Sequence, residues 1–221
     1  MKLVIPGDLL SDDVKRAGEG TYVANGGVYA SIYGILDSKE LRVIPMFGKY
    51  IPHTGDIVIG KVVDISFSNW IIDINSPYEA LLHISEHPDR IYPFDMGRFL
   101  DIGDLFIAKV KDIDATMRVD LMLENFSPLR NGRVIEISHT RIPRVIGRGG
   151  SMINLLKKEL DCSIFVGQNG RILVHGEEDN MDIAIQTLLK IESESHTPGL
   201  TDLVREMIIT EKKGKEEISH D

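Results

Sequence analysis

The residues best suited to chemistry form one short run, Val145-Ile146-Gly147-Arg148-Gly149-Gly150-Ser151-Met152-Ile153. Glycine has no Cβ, so a loop built from it lets the backbone of a polyanion come close. The helical pattern over residues 152–160 would start beside that loop and turn unpaired N–H groups toward a phosphate. Arg148 stands inside the loop and can add a charge-assisted hydrogen bond. Ile146 and Ile153 flank it as apolar walls for unstacked bases, and Arg141, Arg144 and Lys157 add nearby cations. Residues 130–158 hold seven Lys or Arg against one acid, Glu136. Such a local field attracts phosphate even on an acidic chain, because salt confines charge effects to about 10 Å. Two plainer roles fit the same residues: a solvated basic face, or a glycine turn that only lets two helices pack.

The elements around the loop narrow the choice. Residues 133–138 read as a strand, and residues 140–146 as a short helix ending at Gly147. Ser151 is a candidate N-cap for the next helix, whose face is Ile153, Leu156 and Leu160. Residues 163–166 and 171–175 form a hairpin across Gln168-Asn169-Gly170. Asp179 can cap a last helix with Met181, Ala184, Ile185 and Leu188 on its apolar stripe. A G-x-x-G between two helices in the order β-α-α-β-β-α resembles a type I KH domain, an RNA-binding module.

Residues 55–126 carry a second pattern. Short strands are expected over 56–65, 70–74, 80–84, 103–112 and 118–124, with a turn at Asn75-Ser76-Pro77 and a long loop over 86–101. Five short strands in this space fit a small OB-type Greek-key barrel. Gly60-Lys61-Val62-Val63-Asp64-Ile65, Leu81-Leu82-His83-Ile84-Ser85 and Ala108-Lys109-Val110-Lys111-Asp112-Ile113 resemble an S1-type barrel. Such barrels hold single strands with stacking aromatics and phosphate-binding cations. The candidates are Phe67, Trp70, His83, Lys109 and Arg118. The Phe-Gly pair usual on strand two is replaced by Ser68-Asn69, and Trp70 equally suits the barrel core.

Residues 1–54 read as all-β, with a strong hairpin signal at Asn25-Gly26 and alternation over residues 28–33. A turn over residues 37–40 leads to a strand at Leu41, Val43 and Ile44. After residue 193, a linker over 196–199 precedes a short amphipathic helix over 200–209 and a polar tail over 211–221. The chain is therefore multidomain, mainly β plus α+β: a β domain over 1–54, a barrel over 55–126, a KH domain over 127–193 and a tail over 194–221.

Composition excludes several classes. The chain has 221 residues, 43% hydrophobic and 27% charged, which is ordinary for a globular protein. No apolar run nears the roughly 18 residues of a membrane span. Pro6-Gly7 interrupts the N-terminal apolar stretch, so no secretory leader is expected. A single cysteine, Cys162, allows neither an internal disulfide nor a four-thiolate zinc site and fits a reducing cytoplasm. The net charge of -9 lies mainly in residues 55–126. Residues 1–54 are neutral and residues 127–193 slightly basic. Asp112 with Asp114, or Asp101 with Asp104, are the acid pairs that could hold Mg²⁺ for phosphodiester cleavage. No histidine or second acidic motif converges on them, and His53, His83, His87 and His139 lack metal-ligand spacing. No cofactor motif is found.

Further residues tie the three modules together: Pro6-Gly7-Asp8, Gly18-Glu19-Gly20-Thr21-Tyr22, Val28-Tyr29-Ala30-Ser31, Tyr50-Ile51-Pro52 and Gly55-Asp56-Ile57-Val58-Ile59-Gly60. With the S1 and KH patterns, they resemble the archaeal form of the ribosomal RNA-processing protein 4 family of exosome cap subunits, over about residues 3–193. The resemblance implies a non-enzymatic, RNA-binding subunit that forms a trimeric cap on a hexameric phosphorolytic ring. That ring degrades single-stranded RNA from the 3′ end. In this family the N-terminal unit seats on the ring, the S1 barrels surround the entry pore and KH lies outward. The other archaeal cap protein carries a cysteine-rich zinc ribbon, which one cysteine does not provide. Two alternatives remain. A NusA-like factor usually carries two KH units, and one G-x-x-G is read here. A free-standing nuclease needs the missing metal site. Within residues 1–54, Tyr29 or Tyr33 on a neutral strand face is the expected protein-contact surface.

Overall fold

The computed structural model describes residues 2–46, 48–123, 129, 132–195 and 199–218, with side chains given up to residue 211. The expected strand end at Glu124, Arg130 of the basic run, most of the linker over 196–199 and the end of the tail lie outside the described residues. The chain forms two compact units, Met1–Gly48 and Lys49–Asp221.

The first unit holds two three-stranded antiparallel sheets. β1 (Lys2–Val4), β5 (Gly34–Asp37) and β6 (Arg42–Pro45) make one; β2 (Leu9–Ser11), β3 (Thr21–Ala24) and β4 (Gly27–Ala30) make the other. Asn25 and Gly26 both take positive φ, 47° and 77°, giving the tight β3–β4 hairpin the sequence signals. The strand expected to continue to Tyr33 ends at Ala30, one residue before Ser31, whose N–H still donates to Gly20 O in the same register. Val4, Ala30, Leu36 and Val43 form the small core.

In the second unit, β7 (Ile57–Ile65), β8 (Asn69–Asp73), β9 (Ala80–His83), β10 (Leu105–Ile113) and β11 (Val119–Leu123) close into a barrel in the order β10-β11-β9-β8-β7. Period-two alternation explains its filling: Trp70 and Ile72 point inward from β8, and Phe106, Ala108 and Val110 from β10. Trp70 is wholly buried, and its indole N–H donates to Leu100 O at 2.9 Å. Tyr50 is also buried in this core. The segment read as a loop over 86–101 is partly helical: a 3-10 turn at Pro93–Asp95 runs into α1 (Met96–Phe99). Met96 and Leu100 plug the barrel and so hold it in place.

The remaining elements are β12 (Arg133–Glu136), α2 (Ile142–Ile146), α3 (Ser151–Leu160), β13 (Ser163–Val166), β14 (Arg171–His175), α4 (Glu178–Ser193) and α5 (Leu200–Ile218). The sheet order β12-β14-β13 with α2, α3 and α4 on it is the type I KH arrangement. Ser151 is not the cap of α3: left-handed Gly150 precedes the helix and Ser151 already opens it. The buried face is Met152, Leu156 and Leu160, with Ile153 at its side. Asp179 lies in the first turn of α4, one residue inside its start, where an acid suits the helix dipole. α5 is longer than the ten residues expected. Leu200, Val204 and Ile208 seat one stripe on the KH core, and the Glu- and Lys-rich end favours continued helix.

Candidate nucleic-acid interface

The barrel and the KH domain are joined through the β13–β14 turn, Gly167-Gln168-Asn169-Gly170. Asn169 is fully buried. Its amide donates to Ile59 O at 2.9 Å and Ile74 O at 3.0 Å, and its Oδ1 accepts from Ile59 N. Gln168 exchanges hydrogen bonds with the backbone of Ile57. Gly170 has φ 85°, and a Cβ there would sit 2.3 Å from Ile137 O. Beside it Arg171, nearly buried, binds Asp73 O at 2.7 Å and the carboxylates of Asp73 and Glu136. Burial raises the Asp73 pKa, but hydrogen bonds from Arg171 and Asn75 N–H outweigh this and hold it below the usual carboxylate range. Tyr50, whose hydroxyl donates to Asp56, meets the His139 ring edge-on at 6.1 Å. Burial lowers the His139 pKa and Tyr50 is raised by the same cause, reinforced by Asp56. This second G-x-x-G is absent from the single-loop reading of the sequence. The buried asparagine between its glycines is the signal that separates it from a ligand loop.

The first G-x-x-G faces outward. Gly147 ends α2 with φ 75°, and a Cβ there would fall 2.8 Å from Met152 N and Cβ, so packing demands glycine. Gly149 and Gly150, also at positive φ, have room around them for a close backbone approach. Arg148 is exposed in the 3-10 turn between α2 and α3. Together with Arg144, Gly147, Ser151 and Met152 it lines a cleft of about 420 Å³ whose far wall is Leu200, Thr201 and Asp202 of α5. Arg144 Nε donates to Ser195 O, which tethers its guanidinium there. Ile146 is 37% exposed beside the loop. Ile153 is half-buried against the KH core, Arg141 sits in the turn before α2, and Lys157 is exposed on α3. None of these four lines the cleft. The α5 wall was not legible, since nothing in a local pattern says which surface a later helix will cover.

On the barrel, a second cleft of about 380 Å³ brings together Asn69, Leu81, His83, Ser85, Lys111 and Arg118, with Glu86 and Asp120. His83, at the end of β9, and Arg118, just before β11, both border it. His83 Nδ1 accepts Ser85 N–H at 3.1 Å and lies 2.7 Å from Ser85 Oγ. Lys111 Nζ binds Glu86 at 2.7 Å, and this pairing raises the lysine pKa. Trp70 is a core residue and offers no face to a base. Phe67, 83% exposed in the β7–β8 turn, is the accessible aromatic of the two. Lys109 points outward beside Ile57 and Met122 and does not line this cleft. Lys111, two residues on along the same face, does; strand periodicity alone could have offered it.

Of the acids considered for metal binding, Asp114 and Asp104 accept backbone N–H groups in turns, and Asp112 lies within β10. Asp114 accepts from Thr116 and Arg118 N–H, which lowers its pKa, and Asp104 accepts from Asp101 N–H. Among the described residues, no three His, Cys, Asp or Glu side chains are grouped to hold a metal, and no helix is long and apolar enough to cross a membrane.

An OB-type barrel locked to a type I KH domain, each with an open cleft that offers cations and hydrogen-bond donors, defines an S1–KH RNA-binding protein. The comparisons agree. The N-terminal domain of the exosome RNA-binding protein RRP4 matches residues 1–46, the RRP4 S1 domain residues 49–90 and the KH domain residues 132–190. The chain is 48% identical over 220 residues to the exosome complex component Rrp4 of Methanosarcina mazei, covering 98% of this chain and 85% of the relative. It is 44% identical over 219 residues to that of Pyrococcus abyssi, covering 95% and 83%. A crystal structure of a proposed exosome complex RNA-binding protein superposes with a TM-score of 0.70 at 35% identity, covering 76% of this chain and 99% of that one. The chain belongs to the Rrp4 family of exosome complex components.

Proposed function

We propose that this protein is a non-catalytic RNA-binding cap subunit of an archaeal exosome, working in the cytoplasm. Three copies cap a hexameric phosphorolytic ring and guide single-stranded RNA into its pore for 3′-to-5′ degradation. The observation that carries the reading is the rigid pairing of an open Gly-Arg KH cleft with a polar S1 cleft, in a chain of this family. On this reading the chain supplies no cleavage chemistry, and the ring performs the reaction. Assembly falls to the N-terminal unit, which exposes Leu3, Ile5, Tyr22, Val23 and Tyr33. Tyr29 is partly buried and stacks on Tyr22 at 5.6 Å, so Tyr22 and Tyr33 carry the contact. Uncharged aromatic surface of this kind suits protein more than phosphate.

The test is size-exclusion chromatography of the chain, alone and mixed with an archaeal phosphorolytic ring, beside an RNA-binding assay. A variant lacking residues 1–48 retains Tyr50 and the barrel core. It should still bind RNA and fail to join the ring. Normal ring assembly by that variant, or RNA shortening by the purified chain that survives repurification, would defeat the proposal.

A further inference from the structure

The segment Tyr92-Pro93-Phe94 places two aromatic rings in solvent. Tyr92 is 54% and Phe94 82% exposed, the rings lie 5.6 Å apart and their planes differ by 6°. Pro93 fixes the backbone between them. Both neighbours in the chain are anchored. Met96 and Leu100 are buried in the barrel, Trp70 holds Leu100 O, and Phe99 packs edge-on against His87 at 4.4 Å. The pair is therefore exposed yet pre-organised, and a ligand meeting it forfeits little conformational freedom.

Its surroundings say what that ligand is. A cleft of about 390 Å³ shares Ser85 with the S1 cleft and runs past Asp89 to Arg90 and Ile91, the residue before Tyr92. Arg90 is exposed beside the pair, and Arg98, paired with Asp95, lies just beyond. Parallel aromatic faces, a neighbouring guanidinium and continuity with a single-strand cleft are the ingredients of a base-stacking platform. A protein hot spot would instead sit in a well-packed apolar pocket, and the exposed residues flanking the pair include Asp89, Arg90 and Arg98 beside Pro88 and Gly97.

We infer that Tyr92 and Phe94 form a second RNA contact on the S1 barrel, stacking unpaired bases of a strand that has crossed the His83–Arg118 cleft. This rests on the RNA-binding reading above. The test measures affinity of the full chain for a single strand of about 15 nucleotides, long enough to leave one OB-type site. Tyr92→Ala with Phe94→Ala should weaken binding about tenfold, as expected for lost base–aromatic stacking. Unchanged thermal unfolding would show that the fold is intact. Phe94→Leu, which keeps apolar area but removes the π-face, should be nearly as weak as Phe94→Ala. Abasic substitutions in the RNA should reveal one or two positions that matter to the wild type and not to the double variant. Wild-type affinity in the double variant, full rescue by Phe94→Leu, or abasic effects that persist in the variant would each overturn the platform alone. A variant that keeps its RNA affinity but loses ring assembly would make the pair a protein contact and overturn it likewise. Failure of the wild type to bind any strand would instead defeat the RNA reading itself, and the platform with it.

Discussion

The KH domain carries two loops of the same G-x-x-G spacing, Gly147-Arg148-Gly149-Gly150 and Gly167-Gln168-Asn169-Gly170, and they do opposite things. In the first, the residue after the leading glycine is an exposed arginine over a cleft. In the second, the corresponding stretch is an amide pair, and Asn169 is wholly buried in hydrogen bonds to the barrel. Glycine gives both their positive φ. The intervening side chains, and what lies opposite them, decide whether the turn opens on a cleft or on a neighbouring domain.

That contrast can be broken at four points, in falling order of effect. Gly170→Ala forces a Cβ against Ile137 O at a strained φ and should destabilise the S1–KH unit by about 3–5 kcal/mol. Chemical denaturation reads this directly. Asn169→Ala strips partners from buried backbone groups of Ile59 and Ile74 and should cost about 2–4 kcal/mol; an effect below about 0.5 kcal/mol, the range of ordinary surface changes, would mean that the turn is no anchor. Arg148→Ala, by contrast, should leave stability within about 0.5 kcal/mol. It should weaken RNA binding and lower the salt slope by about 0.7 if one phosphate contact is lost from a single strand. Unchanged affinity and slope would make the first loop a packing turn as well.

The smallest effect is one of pH. Burial holds His139 below its ordinary pKa at the same junction. Between the folded and unfolded values the unfolded chain binds the extra proton, so stability is full above about pH 6.5 and falls as pH drops below it. The wild type should lose stability through that window, and His139→Gln should flatten the profile. A profile with the same slope in both proteins would remove His139 from the account.

Much of this was legible in local patterns. The barrel strands end within a few residues of where alternation and turns place them, and the KH element order follows from its periodicity and its glycine loop. The missing parts depend on distant partners. Trp70 has a strand-compatible neighbourhood, and only the helical plug at Met96 and Leu100 shows that its ring is enclosed. Gly150, rather than Ser151, precedes α3, because a left-handed glycine delivers the chain directly into the helix. Lys109 and Lys111 look equivalent in sequence, yet only Lys111 borders the S1 cleft. The Tyr92–Phe94 pair lay in a stretch read as loop, where no periodicity marks which side chains stand clear of the surface.

The junction at Asn169 and Arg171 also changes how the two clefts act on one strand. With the two modules bonded at this junction, a strand held at one site meets the other at an effective concentration set by the distance between them. Strands too short to reach gain nothing, and those that span the gap gain in one step. If both clefts hold RNA, its length should act on affinity as a threshold rather than a gradient.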